Sequence, residues 1–162
     1  MFKVGQKIVY PMHGAGEILN IEKQEVMGKE KEYYVIGLDI NDMQVMVPVD
    51  NAKQLGLRKV NTELQMKKAF DVLEEKSRDL SDNWNHRYRA NMEKLKTGEI
   101  EDISEVIKDL YIRDQERGLS AGEKKMLENS VGLLISEVAI SSDIEQNEAK
   151  EIILEFLKKN DE

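Results

Sequence analysis

The stretch Asn83-Trp84-Asn85-His86-Arg87-Tyr88-Arg89 gathers three aromatic rings and two guanidiniums around the only tryptophan of the chain. A ring flanked by guanidiniums is suited to stacking on a nucleobase while the cations hold neighbouring phosphates. The same residues have a plainer reading. A lone tryptophan in the first turn of an amphipathic helix commonly packs against the next helix, and Arg87 and Arg89 would then be surface residues offset by Asp82 and Glu93.

Other groupings promise less. His13 and His86 are the only histidines, cysteine is absent, and no carboxylate stands at metal-ligand spacing from either ring, so no metal and no cofactor is expected. His13-Gly14-Ala15-Gly16 has part of the glycine content of a phosphate loop. It lacks the third glycine and the lysine and leads into a strand, which reads as a tight turn. No serine or threonine has a histidine base nearby in sequence, and Glu74-Glu75 and Glu101-Asp102 read as solvated helix faces. No catalytic residue is assigned, and an enzyme is not expected.

The 162 residues carry a formal net charge of -8, spread unevenly: 8 basic and 8 acidic side chains in residues 1–60, 13 and 16 in 61–130, and 3 and 8 in 131–162. Bulk DNA repels such a chain, so contact with nucleic acid requires a local patch. Residues 86–96 offer the best one, with Arg87, Arg89, Lys94 and Lys96 against Glu93 alone. Neither a signal peptide nor an apolar run of membrane-spanning length is visible, and a cytoplasmic protein without membrane partners is expected.

Two kinds of element must position these groups. Residues 7–10, 16–21, 32–36 and 43–47 are β-branched or aromatic runs alternating with polar residues and separated by turn residues, which predicts a small barrel of four or five short strands in residues 1–60. From residue 61 the period becomes helical, predicting an all-α module over 61–162 with about five helices at 62–75, 82–96, 99–117, 121–140 and 144–159. Thr62 with Gln65 and Ser120 with Glu123 match the capping-box pattern, and Asp143 with Gln146 is a weaker relative. The fold class is therefore α+β, a barrel followed by a compact helical module.

Three segments of the first module, Phe2-Lys3-Val4-Gly5, Val9-Tyr10-Pro11-Met12-His13-Gly14-Ala15-Gly16 and Val47-Pro48-Val49-Asp50-Asn51-Ala52, resemble the opening domain of the bacterial CarD/CdnL transcription regulators, which is shared with the transcription-repair coupling factor. Residues 83–91, 114–120 and 121–127 resemble the helical domain of the same family, and the likeness runs from residue 1 to about residue 157. No Gly-x-x-x-x-Gly-Lys-Ser/Thr segment is present, which sets the chain apart from the ATP-driven coupling factor.

The resemblance implies a Tudor-like (SH3-like) barrel that docks on the β subunit of RNA polymerase, and a helical module that touches promoter DNA. It implies that Trp84 wedges into the upstream edge of the transcription bubble from the minor groove, with His86, Arg87, Arg89 and Lys124 as nearby DNA contacts. The polymerase-facing surface maps onto Gln24, Val26, Met43, Gln44, Val45, Met46 and Val47. Some members carry arginine where this chain has Gln24 and Met46, which implies docking through strand-edge pairing and apolar contact more than charge, and some carry it where this chain has His86, which implies less attraction to phosphate. The competing reading is a bivalent protein-interaction module with Trp84 in its core. A monomer is expected, with self-pairing through an open barrel edge as the alternative.

Overall fold

The computed structural model describes residues 1–76 and 83–161; the expected start of the second helix at Asp82 lies outside them. Five strands come first: β1 (Lys7–Tyr10), β2 (Gly14–Val26), β3 (Lys29–Leu38), β4 (Gln44–Pro48) and β5 (Arg58–Lys59). They pair antiparallel in the order β4-β3-β2-β1-β5, which leaves β4 and β5 at the two edges. Alternation turns Ile8, Ile18, Ile36 and Val47 inward, where they pack with Tyr34, Leu38, Ala52 and Leu57. The β2–β3 register shifts between Ile18 and Asn20, a bulge that bends the long strand as a small Tudor-like barrel requires.

Two features of the sheet exceed the sequence reading. β2 and β3 continue past the apolar runs as a ribbon in which residues 22–26 face 29–33, mostly exposed and held by ladder hydrogen bonds. β5 pairs with β1 over Ile8 and Val9 alone and is too short to show a period.

Five helices follow: α1 (Glu63–Glu74), α2 (Trp84–Thr97), α3 (Ile100–Glu116), α4 (Ala121–Ser142) and α5 (Gln146–Lys158). Thr62 and Gln65 form the complete capping box at the start of α1. Ser120 caps α4 through the Glu123 amide, and the Glu123 carboxylate reaches back to Ser120 while it also meets Arg87. Asp143 departs from expectation: it ends α4 in the left-handed conformation, φ 52°, a geometry Asp tolerates better than most residues. Its intended partner Gln146 donates instead to Asp39 of the barrel, and α5 has no side-chain cap. Ile103, Ile107 and Leu110 of α3 pack with Leu134 and Val138 of α4, Ile153 and Leu157 of α5, and Leu73 of α1. No helix among the described residues is long and apolar enough to cross a membrane.

The modules meet along α4. The amide of Ala15 donates to Ser136 Oγ at 3.0 Å. Gly14 has φ +101°, and a Cβ there would lie 2.6 Å from Ile40 Cδ1 and 3.0 Å from Ser136 Oγ. The turn between β1 and β2 is Pro11-Met12-His13, so of His13-Gly14-Ala15-Gly16 only His13 lies in it while residues 14–16 open β2, and their small size lets α4 approach the barrel backbone.

Candidate nucleic-acid interface

Trp84 is the first residue of α2, held there by Asn83, whose Oδ1 accepts from the His86 amide at 3.2 Å. The indole reaches the N-terminus of α4, where its Nε1–H donates to Ser120 Oγ at 2.7 Å. One helical turn on, Tyr88 stacks beneath it with ring centroids 5.3 Å apart and planes 22° from parallel. The residue keeps 42 % of its surface exposed. Trp84 is therefore neither a core residue nor a loose surface one: its edge is pinned and much of its apolar area still faces water.

The pin has its own support. Ser120 Oγ also accepts from the Glu123 amide at 3.2 Å, while its hydroxyl donates to Glu123 Oε1 at 3.2 Å. Glu123 is in turn gripped by the Arg87 fork, Nε to Oε2 and Nη2 to Oε1, both at 3.0 Å. The Arg87 and Glu123 side chains are 5 % and 2 % exposed, so this bidentate pair is shielded from water. Burial alone would raise the Glu123 carboxyl; hydrogen bonding and charge from Arg87, with Ser120 adding to them, outweigh it and hold the group below its ordinary 4.5.

A depressed carboxyl contributes stability that is present above its unfolded pKa and is lost as pH falls through the folded one. Resistance to urea is accordingly expected to fall as pH drops below 4.5, and part of that fall is expected to vanish in Glu123→Gln. Equilibrium unfolding at a series of pH values checks it. Ser120→Ala removes both the cap and the acceptor for the indole. It is expected to cost about 1 kcal/mol, the usual price of an N-cap, and to make Trp84 emission redder and more easily quenched by acrylamide.

The sequence-level basic patch needs correction. Arg87 is buried against Glu123, which takes its Nε and Nη2, and only 5 % of its side chain reaches the surface. Lys94 lies 2.9 Å from Glu105 in a partly exposed pair that offsets some of its charge, whereas Lys96, 3.4 Å from Glu93, forms an exposed pair that water screens. His86, Arg89 and Lys124 are exposed. Ser120 and Glu123 were visible in the sequence only as a capping motif; their contacts to Trp84 and Arg87 span 36 residues, which local spacing does not reveal.

At the far edge of the barrel, β4 pairs with β3 on one side and has no other strand beside it among the described residues. Met43, Gln44 and Met46 are exposed and Val45 is half-buried. Val47 corrects another expectation: its side chain is 2 % exposed and belongs to the barrel core, so only its backbone is available along the edge. Gln24 and Val26 of β2 are exposed, and the Gln24 amide sits 3.8 Å from Met46 Sδ. Gln24 on β2 and Met46 on β4 thus touch each other across β3.

The barrel and the helical module match two domain descriptions in chain order: the CarD-like/TRCF RID domain over residues 2–61 and the C-terminal domain of CarD over residues 68–154. Over 150 residues the chain is 39 % identical to a Bacillus subtilis (strain 168) protein named "Putative transcription factor YdeB", covering 93 % of this chain and 98 % of that one. The chain belongs to the CarD/CdnL family, whose members are transcription regulators rather than enzymes. Its barrel is of a kind that interacts with RNA polymerase.

Proposed function

We propose that this protein docks through the β4 edge of its barrel on the β subunit of RNA polymerase and stabilises the promoter open complex by placing Trp84 at the upstream edge of the bubble, from the minor groove. The observation that carries this reading is the indole itself, pinned at its edge by Ser120, backed by Tyr88 and 42 % exposed. A ring held that way enters a junction between paired and melted DNA without first losing rotamer freedom. Arg89, Lys124 and His86 lie exposed to meet phosphates, and the buried Arg87 serves by holding the Ser120–Glu123 end of α4.

Docking on polymerase resolves the charge problem. An acidic protein tethered beside the promoter meets DNA at high effective concentration and needs little intrinsic affinity. No base-reading helix is involved, so the effect extends over unrelated promoters. Residues 1–60 act as the polymerase-binding domain and 61–162 as the DNA-contacting one, in a cytoplasmic protein that reaches the nucleoid through polymerase. The test is the lifetime of open complexes on several linear promoter fragments with cognate polymerase. Longer lifetimes across promoters are expected; none at any promoter would favour a module that joins two proteins without touching DNA.

A further inference from the structure

The two helices that present Trp84 are fastened at their far ends to one barrel residue. α2 begins with Trp84 and is capped at its other end by Gly98, whose carbonyl accepts from Arg58 Nε at 3.0 Å and from Nη2 at 2.8 Å. α4 begins at the Ser120 cap that holds the indole, and farther along it carries Glu137, which takes Arg58 Nη1 at 2.9 Å on Oε2 and Nη2 at 2.7 Å on Oε1. Glu137 is 2 % exposed at the side chain and Arg58 18 %. Asn61, just after the barrel, adds its amide and side chain to Glu137 Oε2, both at 2.9 Å, and takes the Ser141 hydroxyl on its carbonyl at 2.6 Å. Pro11 closes the joint: a Cβ on Gly98, which has φ +70°, would lie 2.7 Å from the Pro11 ring.

This arrangement differs from a tether. In a tether the linker sets only how often the helical module meets DNA. Here the 22-residue α4, about 33 Å long at 1.5 Å per residue, runs unbroken from the indole to the barrel. Both ends of the lever are fixed by a planar guanidinium whose fork defines direction as well as distance. Arg58 stands on β5, at the opposite edge of the sheet from β4, so it can hold the helices without taking part in docking.

We infer that Arg58, with Glu137, is a positioning residue that makes barrel and helical module one rigid lever, so that docking on polymerase sets where Trp84 lands on the promoter. This rests on the wedge reading above. Arg58→Lys keeps the charge and loses the fork. It is expected to leave polymerase binding and Trp84 fluorescence unchanged while the gain in open-complex lifetime falls about tenfold, since a misplacement of about 1 Å can cost a positioned group that much or more. Glu137→Gln, which keeps an oxygen on the joint, is expected to fall between Arg58→Lys and wild type, and serves if Arg58→Lys does not fold.

Amide ¹⁵N relaxation on the free full-length proteins supplies the second arm. The two modules are expected to tumble with one correlation time in wild type and with two in Arg58→Lys. Separate tumbling in wild type, or a full lifetime gain in a variant whose modules tumble separately, would overturn the lever. Loss of the wedge reading shows itself differently: Trp84→Ala would then prolong open complexes as well as wild type does, whatever the relaxation data say about the joint.

Discussion

Trp84→Ala is expected to bind polymerase as wild type does and to lose most of the increase in open-complex lifetime. The ring lies on α2, whereas the proposed docking edge is β4 in the other module, so truncation leaves the docking surface untouched. At the DNA end, stacking of an aromatic ring on a base contributes about 1 to 3 kcal/mol. If that contact exists only once the strands have parted, it shifts the closed-to-open equilibrium by about 5- to 150-fold. Removing the ring also removes the partner of Ser120 and Tyr88, both partly solvent-accessible, so the fold is expected to lose little. Filter-retention decay of open complexes, run beside a polymerase-binding assay, measures both halves. Equal lifetimes for wild type and variant contradict the assignment of Trp84.

The largest effect on stability is expected from Arg87→Ala. It strands the Glu123 carboxylate, 2 % exposed, without its bidentate partner. Breaking a buried pair from one side costs about 3 to 5 kcal/mol, a large part of the roughly 5 to 15 kcal/mol that holds a domain together. Replacing both members by apolar residues of similar size, Arg87→Met with Glu123→Leu, avoids leaving a bare charge and is expected to recover much of the loss. Urea denaturation of the single and double variants settles the order. A single variant as stable as wild type would mean that the pair is answered by water, against its burial.

The two predictions separate what Arg87 does from what Trp84 does. From the sequence both look like parts of one DNA-binding strip, because a cation beside an aromatic ring reads as a recognition patch. Only the fold brings Glu123, 36 residues on, to the guanidinium, and converts Arg87 from a phosphate contact into support for the Ser120 cap. The barrel was legible where a β-branched and aromatic run stands before turn residues, as at Lys7–Tyr10, which the structure reproduces residue for residue. The exposed ribbon and the two-residue β5 were not, because backbone pairing rather than apolar burial defines them.

α4 shows a further limit. Its buried residues include Ser130, Ser136 and Glu137 beside Leu134 and Val138, since it packs on the barrel as well as on the helices. A helix covered on two sides loses the single apolar stripe from which helical faces are read. Glu137 therefore passes for a solvated charge until Arg58, 79 residues earlier, is found on it. The same blindness to distant partners hid the joint between the modules.

2-Aminopurine reports where the Trp84 ring goes. The base analogue is placed in turn at each position across the upstream edge of the bubble, and its emission is read in open complexes with no addition, with this protein, and with Trp84→Ala. A change confined to the junction between duplex and melted DNA is expected, present with the protein and absent with Trp84→Ala. A signal that is the same for both proteins at every position would contradict it.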